Sequence, residues 1–318
     1  MTYNSLQFFP FFAIFLILYL LMPRVRLRQI IILIGNIVFY MLAAGRGMLF
    51  VLAATSLVVY AAGRTIDHIY SGYEREKEGL TPKEGAALFA GYKKRAKKYL
   101  LAAFFLILGF LFYAKIGKLF GFKETDTIMG LFSGGTILVP LGLSYYTFSS
   151  VGYLLDLYWK KAKCERDYFR LIVCMTYFPH IVQGPIGRYD KLLKQFAALP
   201  GFSYERVCAG LIRMLWGFIK KMVIADRLAL FTRTVFASPG EFAGFEIFLA
   251  VSLCAVELYA DFSGCMDIVI GAAETMGITL DENFKRPFFS KSAAEFWRRW
   301  HITLGAWFKD YVYMPVAM

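Results

Sequence analysis

The chain contains several apolar runs, each about as long as a helix that crosses a lipid bilayer. Residues 6–22, 29–44, 47–63 and 99–114 contain no charged side chain, and a spanning helix needs about 20 mainly apolar residues. Hydrophobic residues make up 58% of the sequence and charged residues 19%, against roughly 45–50% and 25% in soluble proteins. We therefore predict an all-α fold, a polytopic integral membrane helical bundle that forms one domain over residues 1–318.

Basic residues are distributed unevenly between these runs. The first 23 residues contain none, whereas residues 64–98 contain nine. Because basic residues concentrate in cytoplasmic loops, we predict a multi-pass protein of the cell membrane, with its N-terminus outside and a basic cytoplasmic loop at about 64–98. Run 6–22 lacks the flanks of a signal peptide, so we expect a retained span.

The net charge of +13 does not indicate nucleic-acid binding. The basic residues lie between apolar runs, where cytoplasmic loops and anionic lipid account for them. Membrane lipid is therefore an expected partner, and nucleic acid is not. The five cysteines show no CxxC or Cys/His spacing, so we expect no metal site.

Residues 81–98 combine a helix start signal with a dense basic run. Thr81 and Glu84 have the spacing of a capping box, and Pro82 suits the first helical position. We predict a short basic helix that ends near Lys98, separate from the span at 99–114. The simplest interpretation of the basic run is an anchor on anionic lipid.

Two further apolar stretches are interrupted by glycine, proline and polar residues. Residues 128–158 contain a polar-aromatic string at 144–150, and we predict an interrupted helix beside a cavity. Residues 168–189 contain two prolines, His180 and Gln183, which predict a broken or re-entrant segment. Polar groups at membrane depth are functional candidates; the alternative is that this pair only caps the broken backbone.

Three carboxylates follow within a mainly apolar region. Glu257 and Asp261 are four residues apart and share a helical face, and Asp267 lies in the next apolar run. The Asp-Phe-Ser-Gly sequence at 261–264 predicts a break between them. Such carboxylates must be paired, protonated or exposed to a polar tunnel, and the basic pair of the connector 282–287 could neutralise them.

The segment 290–313 holds many aromatic residues and a basic pair. Ser292 and Glu295 form a second capping box, which predicts a helix from Ala293. Helical spacing places four side chains on one face: Trp297, His301, Leu304 and Phe308. Because aromatic residues occupy the other faces as well, the helix should be buried or interfacial on all sides.

His301 is one of three histidines and directly follows Trp300 and two arginines, Arg298 and Arg299. If the arginine charges lie close, they should lower the pKa of the imidazole and keep it neutral near pH 7, as a general base requires. The alternative is a buried structural histidine, with the arginines reaching lipid head groups.

Five strings stand out in chain order: PLGLSYYTF (140–148), FPHIVQGPI (178–186), DFSG (261–264) followed by Asp267, ENFKRP (282–287), and FWRRWHITL (296–304) extending to residue 311. Together they resemble the membrane-bound O-acyltransferase family, in the bacterial branch similar to alginate O-acetyltransferases. The last string is highly specific, whereas the glycine–proline strings alone would be weak. The resemblance covers roughly residues 5–315.

The resemblance implies broken helices around a central tunnel. It implies acyl transfer, commonly of acetyl from a cytosolic donor such as acetyl-CoA, to a hydroxyl of an exported polysaccharide, often with an extracytoplasmic partner protein and without a bound cofactor. His301 matches the motif histidine and is the candidate catalytic residue. Candidate tunnel and substrate-binding residues are Arg298, Arg299, Asp261, Asp267, Asn283, His180 and Gln183.

One feature departs from the family pattern. Family members carry a second histidine further along, in an apolar helix, which is usually regarded as catalytic. This chain stops at Met318 before that region, and neither His68 nor His180 occupies the place. We therefore expect either a piece of a longer protein or a chain that has lost activity.

Other functions fit the same features. Within the family, D-alanyl transfer onto teichoic acid would need a carrier-protein donor. A transporter would also place broken helices and carboxylates in the membrane, but we find no inverted repeat. A non-catalytic scaffold that docks an extracytoplasmic partner is the third alternative.

Overall fold

The computed structural model describes residues 2–44, 46–116, 142–181 and 183–317, and these residues form helices, turns and extended connections without a β-strand. The α-helices are α1 (Phe8–Leu21), α2 (Val25–Ala44), α3 (Arg46–Glu76), α4 (Pro82–Ile116), α5 (Leu143–Tyr158), α6 (Tyr168–Met175), α7 (Phe178–Ile181), α8 (Tyr189–Ala197), α9 (Tyr204–Phe218), α10 (Asp226–Ala237), α11 (Gly244–Thr275), α12 (Ala293–Arg299), α13 (Ile302–Phe308) and α14 (Met314–Ala317). Two π-helices, Ile219–Ala225 and Lys309–Tyr313, continue α9 and α13. The all-α prediction is confirmed for the described residues.

The chain forms two compact units. The first comprises Met1–Pro23, Gln183–Pro185 and Leu199–Ala306; the second comprises Arg24–Val182, Ile186–Ala198 and Trp307–Met318.

The first unit is built on the antiparallel pair of α9 and α11. Gly210 on α9 faces Gly271 on α11, and Gly217 faces Gly264. A Cβ atom at Gly271 would lie 2.5 Å from the Gly210 carbonyl oxygen, and one at Gly217 would lie 2.6 Å from that of Gly264. No side chain fits at these distances, so the glycines permit the close approach of the two backbones.

The break predicted at 261–264 is therefore wrong. Helix α11 runs without interruption through this sequence, and Gly264 serves helix packing instead of ending a helix. At its C-terminus α11 is tied to α1, because the Tyr19 hydroxyl donates to the Met276 carbonyl at 2.6 Å.

In the second unit, α2 holds the segment that was predicted to be broken. Helix α6 ends at Met175, and only the single turn of α7 follows before an extended stretch. Asn36 in α2 binds both ends of this break: its Nδ2 donates to Thr176 Oγ1 at 3.0 Å, and its Oδ1 accepts from the Phe178 N–H at 2.9 Å. The predicted broken segment is confirmed.

Two expectations for this unit need revision or lie outside the described residues. Residues 64–98 are mostly helical: α3 continues to Glu76, and α4 starts at Pro82, as its capping box predicts, but continues to Ile116 without ending near Lys98. The string 144–150 lies within α5, while the glycine-rich part of 128–141 falls outside the described residues.

Two helical segments in the described residues, Val25–Ala43 and Leu49–Glu76, are long and apolar enough to cross a membrane by length and composition. Helix α1 is a shorter apolar helix. The two long segments coincide with the predicted spans 29–44 and 47–63, whereas the span predicted at 6–22 stays a prediction.

Candidate functional site

His301 lies at a sharp turn between two short helices. Helix α12 starts at Ala293 as predicted, with the Ser292 hydroxyl accepting the Glu295 N–H at 3.2 Å. The helix ends at Arg299, and His301 adopts a left-handed backbone with φ of 45° before α13 begins. A non-glycine residue in this region is uncommon, although histidine tolerates it better than most.

The predicted continuous helix, with one face running from Trp297 to Phe308, is therefore wrong. The spacing of apolar residues shows which side chains would share a helical face. It does not show that a single residue turns the backbone between two helices. No residue of α12 is buried, and Trp297 is exposed, so burial on all sides is also not observed.

The imidazole of His301 packs against an aromatic wall. Its ring centroid lies 4.9 Å from that of Phe262 on α11 in an edge-to-face arrangement, and Phe262 in turn contacts Phe284 at 5.0 Å. The His301 Nδ1 atom is buried and has no hydrogen-bond partner among the described residues. Because buried polar atoms are normally paired, this unpartnered nitrogen is an unusual feature of the site.

Partial burial lowers the pKa of His301 below its ordinary value of 6.5. The direction agrees with the expectation from sequence, but the cause differs. Arg299 is bound by Glu295 at 2.5 Å, and Arg298 is exposed. Desolvation, which disfavours the charged imidazolium, therefore keeps the ring neutral.

Ion pairs neutralise two carboxylates of α11, those of Asp261 and Asp267. Asp267 lies 3.2 Å from Arg213 Nε and 2.6 Å from Lys220 Nζ. Asp261 lies 2.5 Å from Lys221 Nζ. Lys220 and Lys221 are neighbours in the π-helix that follows α9. They bind two carboxylates that lie six residues apart on α11, Asp267 and Asp261.

Asp261 and Asp267 are thus paired with cations, which was one of the three predicted possibilities. The paired cations are not the ones that the sequence predicted. The cations come from α9 and its π-helix, not from the basic pair in 282–287. That connector instead contributes an acid, because Glu282 accepts from Arg213 at 2.7 Å. Glu257 accepts from the Thr232 hydroxyl at 2.6 Å.

Asn283 makes its hydrogen bonds inside the protein. It is fully buried, and its Oδ1 accepts from the hydroxyl and the N–H of Thr303 at 2.7 and 3.1 Å. Both contacts of the oxygen are internal to the protein, and a role in substrate binding stays a prediction for this residue.

The remaining candidates lie elsewhere. His180 belongs to the second unit, is 2% exposed and has its Nδ1 atom 3.1 Å from the Tyr177 carbonyl oxygen. This contact agrees with the alternative that it caps the broken backbone. Gln183 is exposed.

Sequence reasoning missed Arg213 and Thr303. Arg213 could have been found, because it is a single cation within the apolar residues 211–218, and ionisable groups in such runs are candidates by default. Thr303 gave no signal, since its role depends on Asn283, twenty residues earlier.

The sequence matches a protein-family model and curated proteins. Residues 167–318 match the family model described as membrane-bound O-acyltransferase. The probable alginate O-acetylases AlgI of Pseudomonas putida and Azotobacter vinelandii are 32% and 33% identical to the chain over its whole length. Residues 167–318 therefore form a domain of the membrane-bound O-acyltransferase family, and the whole chain is similar to its alginate O-acetylase members.

More distant relatives act on other polymers. The peptidoglycan O-acetyltransferase of Helicobacter pylori is 28% identical over 67% of the chain and 46% of its own length. The teichoic acid D-alanyltransferase of Bacillus subtilis is 32% identical over 55% of the chain and 45% of its own length. The chain spans 61% of the Pseudomonas putida relative and 60% of the Azotobacter relative.

Proposed function

We propose that this protein is a membrane-bound O-acyltransferase that acetylates hydroxyl groups of an exported cell-surface polysaccharide. The donor is a cytosolic thioester such as acetyl-CoA, and an extracytoplasmic protein assists transfer to the polymer. The similarity to O-acetylases over the whole chain favours acetyl over other acyl groups. The observation that carries the proposal is the neutral, partly buried His301, whose Nδ1 atom is unpartnered.

The protein spans the cell membrane several times, with its N-terminus outside and a tunnel between the cytosol and the exterior. Two long apolar helices, the exposed apolar side chains of α9 and α11 and the absence of basic residues before Arg24 support this arrangement.

In the proposed reaction, the imidazole of His301 removes the proton from an acceptor hydroxyl. At the same time the hydroxyl oxygen attacks the carbonyl carbon of the thioester. The new C–O ester bond forms, the C–S bond breaks, and the proton passes from the imidazolium to the departing thiolate. A general base of this kind contributes about 10²–10⁴ to the rate.

The other candidate residues act around this step. Arg298 is exposed and can bind the phosphates of the donor or a lipid head group, as guanidinium groups do. Asp261 and Asp267, with their three cations, hold α11 and thereby Phe262 in place against His301. His180 and Gln183 stay predicted as polar groups along the tunnel.

A second candidate is D-alanyl transfer onto teichoic acid, which the similarity to the Bacillus subtilis protein favours. It uses the same bond changes with a different acyl group. The two are distinguished by hydrolysing the surface polymer and identifying the released acid as acetate or D-alanine.

The test compares strains that express the full-length protein, its His301→Ala variant or its His68→Ala variant in a background lacking the gene. Esterified acetate on the surface polymer should fall roughly a hundredfold or more in the His301 variant. The His68 variant should match the wild type, because this histidine is exposed and outside the motif. Undiminished acetylation in the His301 variant would remove this residue from the site.

A further inference from the structure

Asn283 caps a helix that begins nineteen residues after it. Its Oδ1 accepts from the Thr303 N–H and hydroxyl, and its backbone carbonyl accepts the Ile302 N–H at 3.0 Å. These are the first N–H groups of α13, which have no partner inside that helix. The residue before a helix usually satisfies them, but here the cap comes from the connector 282–287.

Because Asn283 caps α13, the side chain of His301, the residue before this helix, does not cap it. Its side chain instead packs against Phe262, and its Nδ1 atom has no partner among the described residues. Its backbone is held at φ of 45°, a conformation that is unfavourable for a residue other than glycine and persists only when its surroundings impose it.

The connector itself is anchored on both sides of Asn283. Before it, Glu282 is bound by Arg213 at 2.7 Å. After it, the Lys285 N–H donates to the Arg299 carbonyl at 3.0 Å. The Asn283 Nδ2 donates to Met266 Sδ on α11 at 3.1 Å, so its amide is held at both of its polar atoms.

We propose that Asn283 and Thr303 are positioning residues, which impose the left-handed turn at His301 and so aim its imidazole at Phe262 with one nitrogen unpaired. Their relevance to catalysis rests on the proposed function, but their effect on the imidazole does not. Loss of the Thr303 hydroxyl should loosen the turn and let the ring reach solvent.

The experiment measures how fast diethyl pyrocarbonate modifies each histidine of the purified full-length protein, by peptide mass spectrometry. The chain supplies two internal references: His68 is exposed, and His180 is buried. In the wild type, His301 should react more slowly than His68. In Thr303→Val its rate should rise roughly fivefold, the factor expected from the loss of one hydrogen bond.

The matched controls separate this effect from general damage. Thr303→Ser keeps the hydroxyl and should restore the wild-type rate, and Thr234→Val removes an exposed hydroxyl on α10 and should change nothing. An unchanged His301 rate in Thr303→Val would overturn the proposal, as would an equal rise at His180, which would indicate unfolding. Absence of acetyl transfer in every strain would refute the proposed function without affecting these rates.

A separate observation concerns helix α4, whose exposed side chains change character within one turn. The five basic residues of its segment 93–98 are all exposed: Lys93, Lys94, Arg95, Lys97 and Lys98. The exposed residues that follow are apolar or aromatic: Tyr99, Leu101, Phe105, Leu106 and Phe112. The helix carries no acidic residue after Glu84.

Within the described part of the chain, none of the five basic residues forms an ion pair with a carboxylate. Lys93 and Arg95 instead lie 5.8 and 5.5 Å from the rings of Tyr158 and Tyr92. Nearby Lys160 behaves differently, since it lies 2.6 Å from Glu74. The basic surface at 93–98 is thus uncompensated and borders directly on an exposed apolar surface.

We infer that this basic surface binds the head groups of anionic phospholipids. An anionic phospholipid matches both surfaces of α4. Its phosphate can lie beside the lysines, and its acyl chains can lie beside Phe105. Each basic residue near an anionic membrane surface contributes about 1 kcal/mol of attraction, or roughly a fivefold change in affinity. This inference rests on the proposed placement in the membrane, but not on the proposed reaction.

The test uses native mass spectrometry of the purified full-length protein with added phosphatidylglycerol, phosphatidylcholine or inorganic phosphate. Phosphatidylglycerol should bind the wild type, and the triple variant Lys93→Gln, Lys94→Gln, Lys97→Gln should bind it roughly a hundredfold more weakly. The control Lys83→Gln, Lys194→Gln, Lys291→Gln removes the same charge elsewhere and should keep the affinity. Equal binding by both triple variants, or equal binding of phosphatidylcholine, would overturn the inference.

Discussion

At the scale of single residues, His301 combines three properties that rarely coincide in a structural histidine. Its backbone is left-handed, its Nδ1 atom is buried without a partner among the described residues, and burial lowers its pKa. Strained residues of this kind occur most often at functional sites. His180 shows the contrast, because it is more deeply buried but its Nδ1 atom contacts a backbone carbonyl at 3.1 Å.

The pKa of His301 predicts how acyl transfer depends on pH. The reactive form is the neutral imidazole, and the pKa lies below 6.5, so the rate should be level near pH 7 and fall only as the pH drops through that lowered pKa. The rate should be measured between pH 5 and pH 8 in membrane vesicles that contain the full-length protein. A midpoint above 6.5 would show that His301 is not the titrating base.

At the scale of helices, two glycines seven residues apart on each partner let α9 and α11 pack with their backbones in contact. The same approach brings Lys220 and Lys221 of the π-helix to Asp267 and Asp261. Helix packing and charge pairing therefore depend on each other in the first unit.

Replacement of Gly271 by alanine should destabilise the protein. The added Cβ would lie 2.5 Å from the Gly210 carbonyl oxygen, and because that atom belongs to the backbone it cannot move aside. We expect a loss of about 1–3 kcal/mol in the free energy of unfolding, visible as a lower melting temperature in detergent.

Gly91→Ala is the matched control, because nothing lies within 4 Å of its Cβ position in α4. Alanine there should stabilise the helix by roughly 0.5–1 kcal/mol. Equal melting temperatures for the two variants would contradict the glycine contact.

At the scale of the whole molecule, two helices are longer than a bilayer is thick. Helices α3 and α4 contain 31 and 35 residues, which corresponds to about 46 and 52 Å, whereas the hydrocarbon core measures about 30 Å. Each helix therefore has room to span the membrane and to extend beyond it with its polar end. Most of the charged residues 64–98 belong to these two helices, although the sequence predicts a loop there.

Reporter fusions test the predicted orientation. A green fluorescent protein fused after Gly79 should fluoresce, and alkaline phosphatase fused there should be inactive, because this turn is predicted to be cytoplasmic. Fusions after Gly45 should give the opposite result, with active phosphatase. Active phosphatase after Gly79 would invert the orientation.

Some features of the fold and the site followed from the sequence because their causes are local. A capping box acts over three residues, so the helix starts at Pro82 and Ala293 were predictable. The family was predictable as well, because the string 296–304 is contiguous.

Helix ends and side-chain partners depended on the tertiary structure. Gly264 reads as a break in isolation, but it is a contact point when α9 lies against α11. His301 reads as one position on a helical face, but Asn283, from a different part of the chain, turns the backbone there. The sequence by itself determined which segments are apolar, where helices start and which chemistry the motif carries, since these depend on neighbours along the chain. Only the tertiary structure decided which cations pair with Asp261 and Asp267 and how the imidazole is aimed, because those contacts join residues 20 to 54 positions apart.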